Sequence, residues 1–418
     1  MKTAVSRGIP VHTAVQIPAS KSLSHRALIT AALASGTSRI IAAADNQDIQ
    51  ATLRCIKAFG ASVETDGGDL LVKGTGGRIL YDGSLIDCGE SGSTLRFMIP
   101  LFSLCGQDVR FTGSKRLMER PQDVYRDIFA SQSLRFEKEK DILHVQGPLH
   151  PGVYDIRGDI SSQFISGLLF ALPLLDGDSL IRIRPPFESR SYVSLTLSAL
   201  QNAGVEIQED DMRYGIRGRQ SYRPFSSMVE GDASQAAFFI ALAMLRKVPL
   251  DILNMNHDSR QGDMAMLETA RCFGAEIEEI PDGCRIIPRE LKAVRTDLSD
   301  CPDLGPVLFA LAARAEGTSV FTGCRRLRIK ESDRIGAMKE ELAKTGIRMQ
   351  ADEDTVTVEG GVPHGAELYG HNDHRIVMAM SVLAASMEEP AVIDGSEAVA
   401  KSYPDFFRDL ERTGAKTE

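Results

Sequence analysis

Six copies of one pattern run the length of this chain, and a fixed period of this size marks a single supersecondary unit stacked repeatedly. Each copy holds an amphipathic helix closed by a glycine turn and followed by an alternating strand. Five copies read LRCIKAFGASVE, LSALQNAGVEIQ, LETARCFGAEIEE, MKEELAKTGIRMQ and FRDLERTGAKTE. A worn sixth, DIFASQSLRFEKE, carries Ser133 where the others have glycine. The turn positions are Gly60, Ser133, Gly204, Gly274, Gly346 and Gly414, so the gaps are 73, 71, 70, 72 and 68 residues.

In the first copy Ile49, Leu53, Ile56 and Phe59 recur at helical spacing, with Gln50, Arg54 and Lys57 on other faces. Glycine just past the end is expected as a left-handed cap. A second helix in each copy is different in kind. ALITAALA, LRFMIPLFSLC, FISGLLFALPLL, AAFFIALAML, VLFALAA and IVMAMSVLAA are apolar nearly all round, so they must be buried on every side. A strand follows each one, as in SRIIAA or SLIRIRP. The expected fold is α/β, with two similar domains of three βαβαββ-type units, buried central helices and an inverted α/β-barrel-like, pseudo-threefold arrangement. At 418 residues the chain suits two domains better than one core. The sixth copy stops at Glu418, four residues after its turn. The N-terminal segment, including HTAVQI, is expected to supply the missing strand. The domains are then 19–228, and 1–18 with 229–418.

A net charge of −9 argues against a nucleic-acid or anionic-membrane surface, so any cationic site must be a local cluster. The seven cysteines are scattered with no CxxC, which fits a reducing compartment and argues against structural zinc. MKTAVSRGIPVHTAV has no continuous apolar run, and no stretch of 18 apolar residues occurs. Neither a secretory leader nor a membrane span is expected, and the cytoplasm is the expected location.

The chemistry gathers where the buried helices begin. ASKSLSHR, CGESGSTLR, DISSQF, EGDASQ, CPDLGP and HNDHR are Ser-, Gly- and Asp-rich openings, suited to capping. Parallel helices related by pseudo-symmetry bring such ends to one face. Each end offers free N–H groups and about half a positive charge. Several openings also carry a cation: Lys21, Arg26, Arg96 and Arg375. Arg120, Lys330, Arg334 and Lys401 are expected in loops outside the amphipathic faces. Arginine suits bidentate pairing with carboxylate or phosphate, whereas lysine is a compact charge. The mixture suggests a substrate with several anionic groups held in a cleft between the domains.

Taken together, PASKSLSHRAL, GESGSTLRFMIP, MERP, SSQF, ESRSY, CPDLGPVLFALAA, RIKESDRI, NDHRIVMA and AKSYPDFF resemble the 3-phosphoshikimate 1-carboxyvinyltransferase (5-enolpyruvylshikimate-3-phosphate synthase) family. The likeness runs from about residue 18 to 408 in order and spacing. It implies transfer of an enolpyruvyl group from phosphoenolpyruvate to the 5-hydroxyl of shikimate 3-phosphate in the shikimate pathway, with no cofactor and no metal. By the same resemblance Lys21, Ser22, Arg26, Ser161, Ser162, Gln163, Ser189, Asp303 and Lys330 bind shikimate 3-phosphate, with Tyr192 in the same loop as Ser189. Lys21, Gly92, Arg120, Gln163, Arg334, Arg375 and Lys401 hold phosphoenolpyruvate, and Arg96 supports the glycine loop. The catalytic residues implied are Asp303, Glu331, Lys21 and Lys330. Asp303 accepts the hydroxyl proton, and Glu331 is the candidate for protonating the methylene, with return of the proton from Asp303 itself as the alternative. Glu331 lies between Lys330 and Arg334, which disfavours its acid form, so Asp303 ranks above it. His374 is read as a group that orients its neighbours.

Two positions depart from the usual family pattern. Glu90 stands where asparagine is usual and is expected to point at Arg96 or another cation, and Arg326 stands where some members have asparagine. Three other readings stay open. A sibling transferase acting on UDP-N-acetylglucosamine usually has a cysteine in the stretch matching Gly113 to Arg120, and this chain has none there. An RNA 3′-terminal phosphate cyclase favours a basic groove and aromatic stacking, yet this chain has no tryptophan and a pI near 5.5. The last is a non-catalytic binding protein. A monomer with small-molecule partners and no nucleic acid or membrane is expected.

Overall fold

A helix that is apolar on every face has to be surrounded, and this chain surrounds six of them. In a computed structural model that describes residues 1–418, they are Lys21–Leu33, Gly92–Ser103, Ser162–Ala171, Ala233–Arg246, Gly305–Ala312 and His374–Ala384. All 14 residues of Ala233–Arg246 and all 8 of Gly305–Ala312 are buried. Six open four-stranded sheets accompany these central helices. No sheet closes on itself, so the barrel likeness extends only to helices inside and sheets outside.

Every sheet repeats one plan. In the second copy the edge strand Ile86–Asp87 runs parallel to Val109–Thr112, the strand after the central helix. Val109–Thr112 pairs antiparallel with Ile142–Gln146, whose hairpin partner Arg135–Glu139 forms the far edge. In the first copy that hairpin joins Ser62–Asp66 to Asp69–Lys73 through Gly67 and Gly68, both at positive φ. This is the pair a tight two-residue hairpin turn requires. The amphipathic helices are Gln47–Ala58, Asp123–Ser131, Arg190–Asn202, Ala265–Phe273, Arg334–Lys344 and Phe406–Arg412. All six turn residues after them are left-handed, with φ from 57° to 111°, and Ser133 is among them. The geometry of the turn persists where its glycine is lost.

The chain divides into two compact units, Ala19–Val229, and Met1–Pro18 with Glu230–Glu418. In the first unit Gly92–Ser103 packs on Ser162–Ala171, and Lys21–Leu33 on Arg190–Asn202. Tyr125, fully buried, donates to the carbonyls of Arg96 (2.7 Å) and Phe164 (3.1 Å) and so ties two central helices together. Gly167 permits that approach, because a Cβ there would lie 2.2 Å from the Tyr125 hydroxyl. In the second unit the three central helices pack against one another pairwise.

The N-terminal segment supplies the missing strand as expected, but through Lys2–Ser6 and not through HTAVQI. The missing strand of the sixth copy is Lys2–Ser6, which pairs with both Ala391–Asp394 and the terminal Lys416–Thr417. HTAVQI holds a second strand, Ala14–Gln16, which lies parallel to Leu250–Leu253 in the fourth copy. The strand before each central helix normally joins the strand after it. Ala14–Gln16 and Ser226–Met228 exchange these places, and Ser226–Met228 pairs with Thr37–Ile41. Both N-terminal segments alternate in burial, so pattern alone does not distinguish them.

A serine at φ 57° carries strain that glycine would not. Ser133→Gly is expected to stabilise the protein by about 0.5–1 kcal/mol, after the larger unfolded-state entropy of glycine is subtracted. A urea melt with an unchanged m-value and a higher midpoint would show it, and a lower midpoint would contradict it.

Candidate active site

In the first unit the three central helices begin with neutral caps. Ser20, Ser91 and Ser161 accept from the backbone N–H of Leu23, Thr94 and Gln163 respectively. Short polar bridges join these starts. Arg96 donates to Gln163 Oε1 (2.8 Å) and the Pro121 carbonyl (3.0 Å), while Gln163 Nε2 donates to Ser93 Oγ (2.9 Å). Lys21 reaches Asp48 Oδ2 at 2.8 Å. Arg26, buried, donates to Thr196 Oγ1 (2.8 Å), the Ser22 carbonyl (2.7 Å) and the Tyr192 carbonyl (2.9 Å). It thereby anchors the helix that begins after Ser189. Ser189 itself is buried and left-handed (φ 56°, ψ 40°), a conformation serine adopts at a cost. Ser162 is the first residue of its helix, directly after the cap Ser161. At Gly92 a Cβ would lie 2.3 Å from Arg120 Nη1, so any side chain there would displace that guanidinium.

In the second unit the starts meet on a carboxylate. Asp303 precedes Gly305–Ala312 in a short 3-10 turn, and its Oδ1 accepts from Lys330 Nζ (3.2 Å) and Arg334 Nη1 (3.0 Å). Its Oδ2 accepts from Arg375 Nη2 at 3.0 Å. Arg375 also donates to Ser234 Oγ at 2.9 Å, at the start of Ala233–Arg246. Arg334, only 2% exposed, is bound by Asp373 (Nε to Oδ2, 2.8 Å). Asp373 in turn caps His374–Ala384 by accepting from the Arg375 N–H (2.9 Å). His374 Nδ1 lies 2.9 Å from Glu331 Oε2. Lys401 Nζ donates to the Asn372 carbonyl at 2.5 Å.

The two halves therefore differ electrically. Serine caps leave the helix-end charge of the first unit uncancelled, while Asp232 and Asp373 cap two of the three central helices in the second. Burial weakens the hold of Arg334 on its proton, but the carboxylates of Asp373, Asp303 and Glu331 outweigh it and keep the group above its ordinary range. Burial alone would raise Asp373, yet the Arg334 guanidinium holds it below the usual carboxylate range. Arg26 is lowered by burial to about 10 and stays charged at neutral pH. Arg96 is lowered by burial and then by Arg120. Two groups have the donor types of a metal site, Glu331 with Asp373 and His374, and Glu340 with Glu341 and His371. Each already has a basic side chain on its carboxylates, Arg334 in one and Lys344 in the other.

Several expected placements need correction. Arg334 is the first residue of a helix, and Lys401 ends a 3-10 helix, so neither lies in a loop. Lys330 and Arg120 do sit between helices, each as the terminating residue of a short one. Arg96 donates to Gln163 and Pro121 rather than to Glu90, and Gln163 donates on to Ser93, so Arg96 reaches the glycine loop only through that amide. Arg326 is buried and donates to the Ser299 carbonyl. Asp373 caps its helix as the HNDHR opening suggests, whereas the partnership of Asp48 with Lys21 has no sign in the residue pattern.

The whole chain superposes on the solved EPSP synthase from Acinetobacter baumannii with a TM-score of 0.81 at 26% identity, covering 100% of this chain and 99% of that one. It also matches the enolpyruvyl transferase NikO from Streptomyces tendae, with a TM-score of 0.81 at 18% identity, covering 100% and 98%. The fold is that of the enolpyruvyl transferases. Residues 5–410 match the family described as EPSP synthase (3-phosphoshikimate 1-carboxyvinyltransferase). The 3-phosphoshikimate 1-carboxyvinyltransferase of Clostridium kluyveri is 41% identical over 408 residues, 97% of this chain and 95% of that protein. The protein of the same name from Clostridioides difficile is 37% identical over 419 residues, 97% and 95% of the two chains. The chain belongs to the EPSP synthase family, as its motifs led us to expect.

His25 offers a pH test of the first unit's interior. It is 1% exposed, with Nδ1 2.7 Å from Thr52 Oγ1, and burial, then Lys21 and Arg26, hold it well below 6.5. The unfolded chain binds this proton more readily, so stability falls as pH drops below about 6.5 and is fully present above it. His25→Gln is expected to reduce that slope by up to about 1.4 kcal/mol per pH unit. Urea melts at pH 7.5, 6.5 and 5.5 would detect it, and parallel slopes for the two proteins would refute it.

Proposed function

We propose that this protein transfers the enolpyruvyl group of phosphoenolpyruvate to the 5-hydroxyl of shikimate 3-phosphate and releases phosphate. Family membership supports this reading, and one observation carries it: Lys330, Arg334 and Arg375 gather on Asp303. Two phosphates and two carboxylates need that many cations, and the acid–base chemistry needs a carboxylate among them. The neutral-capped first unit suits the phosphate of shikimate 3-phosphate, through Lys21, Ser22, Arg26, Ser161, Ser162, Gln163 and Ser189. Phosphoenolpyruvate is held by Lys21, Gly92, Arg120, Gln163, Arg334, Arg375 and Lys401.

The hydroxyl oxygen attacks C2 of phosphoenolpyruvate as its proton passes to Asp303, assisted by Lys330. The methylene carbon takes a proton, with Glu331 as donor held by His374, and a tetrahedral intermediate forms. Breaking the C2–O bond then expels phosphate, and loss of a methyl proton restores the double bond. Substrate anions compete with Asp303 for its three basic partners, so binding releases carboxylate oxygens that the free protein engages. We place the protein in the cytoplasm as a monomer that uses no cofactor.

Phosphate release with shikimate 3-phosphate and phosphoenolpyruvate tests the reading, and release with UDP-N-acetylglucosamine alone would overturn it. Asp303→Ala is expected to lower turnover by about 10²–10⁴-fold while shikimate 3-phosphate still binds measurably by calorimetry. Turnover within about tenfold of the unaltered protein would remove Asp303 from its role.

A further inference from the structure

Two cations of the proposed phosphoenolpyruvate clamp rest on a strained turn. Between the strand Glu367–Tyr369 and the helix His374–Ala384 the backbone passes through two consecutive left-handed residues, His371 (φ 51°) and Asn372 (φ 50°). Neither is glycine, and such a pair persists only where its surroundings impose it. The Asn372 carbonyl receives Lys401 Nζ at 2.5 Å, and three residues after Asn372 comes Arg375, the second residue of the helix.

What imposes the turn is Glu341. It is fully buried on the helix Arg334–Lys344 and takes no part in the proposed reaction. Its Oε1 lies 2.7 Å from His371 Nε2, and its Oε2 accepts from the Tyr369 N–H at 2.9 Å. Lys344 Nζ donates to both oxygens at 2.9 Å and supplies the countercharge that a buried carboxylate requires. The same helix starts at Arg334, which holds Asp373 at the other end of the turn. One helix therefore clamps the turn at two points, two helical turns apart.

We propose that Glu341 is a positioning residue for the phosphoenolpyruvate side of the site. It holds the His371–Asn372 turn in its left-handed form, and the turn sets Lys401 and Arg375. This inference rests on the function proposed above. In Glu341→Gln the countercharged grip on His371 and Lys344 is lost while the side-chain shape is kept. The KM for phosphoenolpyruvate is expected to rise by about fivefold or more, with the KM for shikimate 3-phosphate within about twofold. Adding His371→Gly in that background places glycine where left-handed backbone is unstrained, and is expected to restore the KM for phosphoenolpyruvate to within about twofold. A loss of fold alone would move both KM values together and would not be rescued. An unchanged KM for phosphoenolpyruvate, a parallel rise in both, or failure of the glycine to restore it overturns the inference.

Hydrogen exchange over residues 369–375 of the ligand-free protein reads the turn without turnover. Exchange there is expected to be about tenfold faster or more in Glu341→Gln, and equal rates overturn the proposal. If the unaltered protein fails to turn over the two substrates while exchange responds as expected, the functional reading falls and the role of Glu341 in the turn stands.

Discussion

An apolar helix surrounded on all sides can meet solvent or ligand only at its ends. That constraint organises this protein. The six central helices bury their whole circumference, so the polar chemistry of the chain collects where they begin. In the first unit the beginnings are capped by serine, and their partial positive charge remains available to an anion. In the second unit Asp232 and Asp373 cap two beginnings, and the available positive charge comes instead from arginine and lysine side chains. One repeated fold thus yields two electrically distinct halves, through the choice of cap and the placement of basic side chains.

The second half is an ion network rather than a set of separate pairs. Arg334 touches Asp303, Glu331 and Asp373, and Arg375 joins Asp303 to Ser234. Taking such charges out of water is costly, and the network persists because every member meets a partner of opposite sign. Removing one partner of a buried pair typically costs about 3–5 kcal/mol, so the network also ties three helix starts into one geometry. Preorganisation of this kind suits a reaction whose substrates bring several negative charges at once.

Much of this was legible in the residues. The glycine turns and the alternating strands announce their conformations because period and glycine are local properties. Even Ser133 occupied its place in the pattern and proved left-handed like the rest. Five of the six central helices likewise take a Ser or Asp side-chain cap from the opening that suggested one, while Gly305–Ala312, after CPDLGP, has none. Less legible was what each side chain touches. Arg96 and Glu90 are six residues apart across a helix start, yet Arg96 turns to Gln163, 67 residues away. HTAVQI and KTAVS alternate alike, and only the pairing of complete sheets separates their roles. Glu341 reads as one more acid on an amphipathic helix, and its burial against Tyr369 and His371 has no sign in the local pattern.

By itself the sequence determined the repeated unit, its helices and turns, the apolar cores and the family, since these follow from spacing and residue type along a few turns of chain. Tertiary structure decided which strand completes which sheet, which cations share Asp303, and which acids are buried beneath the site. Those outcomes depend on contacts between segments far apart in the chain, and no local pattern encodes the partner across such a gap.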